Sequence, residues 1–321
     1  MDTNEMNKIR GQKLRELRDA KGLSREKLLE GSIDTISTKQ LFRIENGISK
    51  LTPTAASLIL PKFDLTLEAF EALCFGGDMK KFEDHFAKAL HYGSLGQFDK
   101  KMGILALIKT QSYYIDTIPT MRQAMLMGEA VCISQVDGRH QEALSMLQEA
   151  IITTASKALK RNKTFDYKYI ATHVFSLQEY RVFRESSTVM SLADTLDTSV
   201  KLQEATIASL SQDDVSIDIQ KRLLPFAFFN LSNDLLCLNL FKRTLETMNT
   251  AFMFSKEHDI TKTHHRLYWN QGRAYIGLNK KNEATVCFQK TVNLLKALEA
   301  CDEAERLIQV ARDKYDCKLI R

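Results

Sequence analysis

The sequence predicts an all-α protein in two parts, a set of five short helices over residues 1–72 and a long array of paired helices over 73–321. Three observations carry this. Helix breakers are scarce, with 4 prolines and 13 glycines in 321 residues. Apolar residues recur three and four positions apart, the spacing that lines one face of a helix. No stretch after residue 78 alternates as a strand would.

Composition narrows the class. Hydrophobic residues make up 44% of the chain, enough for a sizeable core. The net charge of +5 is too mild to decide a partner, so its placement matters more. No run of about 18 apolar residues occurs, and MDTNEMNKIR carries no apolar stretch, so a cytoplasmic protein is expected. Cys74, Cys132, Cys237, Cys287, Cys301 and Cys317 form no CxxC pair. No cofactor is expected.

Ile9, Leu14 and Leu17 stripe a first helix that ends near Gly22, with Arg10, Lys13, Arg15 and Arg18 over its other faces. Ser24 caps a second helix whose Leu28 and Leu29 face inward. Arg25, at its first position, is placed to reach a phosphate. The loop GSIDTI leads to the stretch that organises the domain, STKQLFRIENG over residues 37–47. There Leu41 and Ile44 share a buried face, while Thr38, Lys39 and Arg43 lie opposite with Gln40 at the edge. Ser37 caps its start and Gly47 stops it. A fourth helix runs from Thr52 to about Pro61, with Pro53 at an allowed early position, and a fifth from Thr66 carries Leu67, Phe70, Leu73 and Phe75. A capped, polar and basic third helix suits a major-groove probe, and the group reads as a helix-turn-helix domain. The plainer alternative is a surface helix of an ordinary bundle.

These residues resemble a known class. Gly11, Leu14, Arg15, Leu17, Arg18, Lys21-Gly22-Leu23-Ser24, Glu26, Leu28 and then Ile44-Glu45-Asn46-Gly47 match the phage-repressor (XRE/Cro) pattern of helix-turn-helix domain. The resemblance implies base readers at Thr38, Lys39 and Arg43, and contacts to the DNA backbone near Arg25, Gln40, Asn46 and Lys50. Ser37 belongs to the same expected interface. The class usually has Gln where this chain has Arg25, and the link before the third helix is longer here. Phe42 replaces a small polar residue and is expected to pack on the neighbouring domain, the alternative being contact with a thymine methyl.

The rest is read through internal repeats. In residues 268–291, Gly272, Tyr275, Ala284 and Phe288 have the small-aromatic spacing of a tetratricopeptide repeat. Weaker copies cover 127–150, with Gly138, Ala143, Leu147 and Ala150, and 226–251, with Leu235, Met248 and Ala251. Another covers 171–196, with Tyr180 and Ala193. Stacked pairs of this kind predict a degenerate tetratricopeptide-like superhelix with a concave groove. The repeat register places Arg266, Trp269, Asn270 and Arg273, then Phe226, Phe229, Asn230 and Asn233, in that groove. The weakest copy adds Phe175, Gln178 and Arg181. Asn pairs with a peptide backbone through both donor and acceptor, and Arg clamps a carboxylate, so an extended peptide is the expected occupant. For each side chain the alternative is a solvated or loop-capping role.

Catalysis finds no support. His264 and His265 are adjacent on a helix and point about 100° apart, and no HExxH, Walker loop or GxSxG occurs. No metal site and no enzyme is expected.

The order of domains, the length and the string LTLEAF, with Leu65, Leu67, Glu68 and Phe70, resemble the Rgg family of Gram-positive regulators, in the RRNPP group with PlcR and PrgX. That resemblance implies a cytoplasmic regulator that binds double-stranded operator DNA as a homodimer and a short signalling peptide in its repeats, as in quorum sensing. It leaves activation and repression open. Leu294, Leu295 and Leu298 are expected to contribute to a dimer surface, or else to cap the array. The alternative function is a repressor whose repeats bind a partner protein or only dimerise.

Overall fold

The computed structural model describes residues 3–30, 36–63, 65–111, 114, 116, 118–261 and 263–319. Most of the loop GSIDTI lies outside them. The described residues are helical with no strand, only an isolated bridge between Leu159 and Phe165. They form two compact units, 1–138 and 139–321.

The first unit begins with α1 (Thr3–Ala20), α2 (Arg25–Leu28), α3 (Thr38–Glu45) and α4 (Pro53–Ile59), followed by a short 3-10 turn over Leu60–Phe63. Then come α5 (Leu67–Ser94), α6 (Phe98–Thr110) and α7 (Pro119–Val136). Each early start is capped, at Ser24 and Ser37 as expected: Ser24 accepts from the Lys27 N–H, Ser37 from Gln40, Thr52 from Ala55 and Thr66 from Ala69. Leu14, Leu28, Leu29, Leu41, Ile44, Ile59 and Phe70 close one core. Helix α5 is long, and Phe75 inside it leaves helical geometry at φ −127°, ψ 19°.

Two glycines let α1 lie against α3. A Cβ on Gly11 would stand 2.2 Å from the Ile44 carbonyl oxygen. Gly47 has φ +69° and a Cβ there would meet the Lys8 backbone at 2.7 Å, so both conformation and space require glycine.

Two of the arginines over the other faces of α1 are held by carboxylates of other helices. Arg10 clamps Glu71 of α5 bidentately at 2.8 and 2.9 Å. Arg18 is 8% exposed and bonded to buried Glu45. Neither partner is near in sequence, so helical periodicity alone does not reveal the pairs.

The second unit holds α8 (His140–Ala155), α9 (Tyr167–Thr172), α10 (Leu177–Leu192), α11 (Leu196–Leu210), α12 (Ile217–Cys237), α13 (Phe241–Glu257), α14 (His264–Gly277), α15 (Lys281–Ala297) and α16 (Cys301–Tyr315). From α10 to α15 these form antiparallel pairs, α10 with α11, α12 with α13, and α14 with α15, each pair touching the next. The pairs share one turn. Asp194, Asn239, Asn279 and Glu299 each take positive φ of 56–59° just past a helix end. The following N–H then closes onto a carbonyl five residues back, as Thr195 does to Met190 and Lys280 to Tyr275. The repeat over 127–150 spans both units, and each of its helices belongs to its own unit.

Leu295 is corrected as a surface residue: it is 1% exposed and packs with Val292, Ala304, Leu307 and Ile308. Leu298 is 55% exposed. Phe175 is likewise core, edge-on to Tyr180 and Phe183 at 5.8 and 5.0 Å.

Candidate functional site

Two sites come from the sequence, one in each unit. The first is the outer face of α3. Leu41 and Ile44 are 0% and 2% exposed, and on the other side Thr38, Lys39, Gln40 and Arg43 are all exposed, as are Ser37, Asn46 and Lys50. The end of the helix is held locally. The Asn46 side chain donates to the Phe42 carbonyl at 2.7 Å, and Arg43 Nε donates to Ser49 Oγ at 3.2 Å.

Glu45 anchors this helix from inside. Its carboxylate has no exposed surface and accepts from Arg18 at 2.6 and 3.2 Å and from Arg25 at 2.6 Å. The hydrogen bond to Glu45, opposed by burial and aided by the charges of Glu45 and Asp19, holds the Arg18 guanidinium above its ordinary value. Arg18 also donates to the Leu23 carbonyl at 2.9 Å. One carboxylate therefore ties α1, the start of α2 and the end of α3 together.

This arrangement changes two expectations. Arg25 is half-buried and engaged by Glu45, so its charge is partly spent within the domain. Phe42, expected to pack on the neighbouring domain, is 46% exposed, and the Arg25 guanidinium stacks over its ring at 5.0 Å. Phe42 and Ile48, which is 61% exposed, add apolar surface beside the basic side chains.

The second site follows the facing helices α10, α12 and α14. Asn270 is 1% exposed, and its amide donates to Ser232 Oγ at 2.7 Å and Asn233 Oδ1 at 3.1 Å. Arg273 donates to Asn233 Oδ1 at 3.2 Å and Asn270 Oδ1 at 3.3 Å. Asn270 is thus a buried structural tie between α12 and α14, where the register places it on the groove surface. Trp269 is corrected too, since it packs at 4.6 Å on Phe288 and at 6.3 Å on Tyr315. The half-buried side chains that remain along these helices are Gln178, Arg181, Phe226, Phe229, Asn230, Asn233 and Arg273. Exposed Arg266 lies over the Phe229 ring at 5.6 Å.

The sequence reading missed a carboxylate in this region. Asp234, 4% exposed, faces away from Arg273 and into the join of α10, α11 and α12. Ser191 lies 2.8 and 2.9 Å from its oxygens, Ser199 2.5 Å and the Gln203 amide 2.6 Å. Burial pushes its pKa up, opposed by these hydrogen bonds. Its signal in the sequence was the run Ser232-Asn233-Asp234, polar in the middle of an apolar helix. Among the described residues, no three His, Cys, Asp or Glu side chains gather where an ion would sit. No described helix is long and apolar enough to cross a membrane.

No family model and no curated protein matches the sequence. Solved structures do match. Bacillus thuringiensis PlcR in complex with the peptide PapR7 and DNA shares 15% identity at a TM-score of 0.59, covering 94% of this chain and 99% of that chain. The apo form of PlcR gives 13% and 0.58, covering 89% and 97%. The apo form of the competence regulator ComR from Streptococcus vestibularis gives 15% and 0.50, covering 95% and 98%. At these identities the likeness is one of fold, and the chain has the fold of the PlcR and ComR chains, helix-turn-helix helices followed by tetratricopeptide-like repeats.

Proposed function

We propose that the chain is a cytoplasmic transcription regulator that reads duplex DNA with α3 and is controlled by a short peptide bound along α10, α12 and α14. The observation that carries the reading is the division of α3. Its apolar side is sealed into the core while Thr38, Lys39 and Arg43 are exposed on the other. A rigid helix with a free basic face fits the major groove, where Lys and Arg read guanine edges and a phenyl ring such as Phe42 meets a thymine methyl. Ser37, Gln40, Asn46 and Lys50 flank that face within reach of phosphates, and Arg25 borders it from α2.

The reader occupies residues 1–72 and the regulatory part 73–321. One reader covers a half-site, so the working form is a homodimer on a two-fold operator. The peptide acts by binding one arrangement of the dimer better than another. Gln178, Arg181, Phe226, Phe229, Asn230, Asn233, Arg266 and Arg273 supply its contacts. The PlcR structure with PapR7 and DNA, on the same fold, supports this pairing of ligands.

Selection from a pool of randomised duplexes tests the reading. The full chain should enrich a motif with two-fold symmetry. Recovery of unenriched sequence would overturn it.

A further inference from the structure

The net charge of the chain is +5, and its cations are not spread evenly. Over residues 156–168, which join α8 to α9, Lys157, Lys160, Arg161, Lys163 and Lys168 stand against one carboxylate, Asp166. These five cations are exposed, and none has an ion pair among the described residues. Asp166 is engaged elsewhere: its Oδ1 accepts from the Tyr169 N–H at 3.1 Å and caps α9. The segment has a fixed shape. The Lys160 N–H donates to the Thr164 carbonyl and the Asp166 N–H to the Ala158 carbonyl, both at 2.8 Å. Asn162 Oδ1 accepts from the Thr164 N–H and hydroxyl at 3.2 and 2.7 Å. Ala158 and Phe165 are 0% and 1% exposed, and Phe165 sits edge-on to Phe183 of α10 at 6.1 Å. The tip turns through Lys163 at φ 61°, a conformation that glycine or asparagine takes at less cost. Two buried residues thus pin a short hairpin whose tip presents Lys160, Arg161 and Lys163 to solvent.

Like charges gathered this way repel one another, and a polyanion relieves the repulsion. Duplex DNA is the densest such partner, with one negative charge per about 1.7 Å of its axis. Once α3 docks, the rest of the same chain is held beside that duplex, so weak phosphate contacts from a second surface become intramolecular. We propose that the hairpin over residues 156–168 is a second, sequence-independent DNA contact, binding backbone phosphates of the duplex that α3 reads. This rests on the DNA-reading assignment above.

Anisotropy titrations of the full chain test this, using a duplex that wild type selects, with long flanks of unrelated sequence, at a series of salt concentrations. Each phosphate neutralised steepens the fall of log affinity with log salt by about 0.9. A variant combining Lys157→Gln, Lys160→Gln, Arg161→Gln and Lys163→Gln should make that fall shallower by about 2–4, while keeping its preference for the selected motif. Replacing the same three lysines by arginine keeps the charge and should keep the wild-type slope. A control combining Lys242→Gln, Lys256→Gln, Lys280→Gln and Lys296→Gln removes equal charge from exposed sites on and beside α13 and α15, and should also keep it. Melting temperatures of all three variants should match wild type, since every altered side chain is exposed. Equal slopes for wild type and the hairpin variant overturn the proposal and leave an acidic protein as the partner of the hairpin. An equal change in the control also overturns it, by making net charge the cause. Selection of no duplex by wild type overturns the DNA reading itself, and the hairpin's role with it.

Discussion

The side-chain amide of Asn270 donates to Oδ1 of Asn233 across 3.1 Å and so joins α14 to α12. Ser232, the residue before Asn233, accepts from the same amide, and Asp234, the residue after, is bonded to α10 and α11. Three successive residues of α12 thus fasten it to three other helices. Buried hydrogen bonds of this kind fix geometry because the alternative is an unsatisfied polar group. The same clamp buries Asn270 between the two helices.

Asn270→Ala should accordingly be a stability variant. It leaves Ser232 Oγ without its donor and Asn233 Oδ1 with Arg273 alone, at a cost of about 1–3 kcal/mol. Urea unfolding of wild type and variant measures this. A midpoint unchanged from wild type would show that the amide is not holding the two helices.

Asp234 makes stability depend on pH. Its carboxyl titrates above the ordinary 3.8, so the folded chain holds this proton more tightly than the unfolded chain. The resulting contribution is full below the unfolded value and is lost as pH rises through the folded one. Moving upward from pH 3.8, wild type should therefore lose stability relative to Asp234→Asn. Denaturant midpoints at a series of pH values check the difference curve, and a flat one contradicts the assignment.

Glu45→Gln should weaken the first unit most. The change leaves Arg18, at 8% exposure, facing a neutral amide, and removing one partner of a buried pair costs about 3–5 kcal/mol. Hydrogen exchange of α1 and α3 reads the effect directly. Protection equal to wild type would mean that the core around Leu14 and Leu41 suffices without the carboxylate.

Gly272→Ala tests the repeat packing. A Cβ at that position would stand 2.5 Å from Phe288, so the variant should lose about 1–3 kcal/mol from overpacking. Thermal unfolding of the full chain measures it, and an unshifted transition would show that Phe288 has room to move.

Much of this was legible in the sequence where the signal is local. The caps at Ser24 and Ser37, the helix starts at Thr52 and Thr66 and the buried pair Leu41 and Ile44 depend on neighbours within one or two turns. Gly272 and Phe288 gave the α14–α15 pair for the same reason. What stayed hidden depends on distant partners. Arg10, Arg18 and Arg25 look like a solvated basic surface until Glu71 and Glu45 arrive from 61, 27 and 20 residues away. Trp269 and Asn270 were misplaced because a degenerate repeat fixes which helix faces the groove better than which side chain does. The left-handed residues Asp194, Asn239 and Asn279 were a better ruler for the repeats, since each sits at the same step of its turn.

The most direct measurement is the affinity of wild type and of Arg43→Ala for a duplex that wild type selects, with helicity and melting recorded alongside. The account predicts a loss of about 1–3 kcal/mol in sequence-specific affinity with the fold intact, because Arg43 is exposed on α3 and outside the core. Full specific affinity in the variant would contradict it.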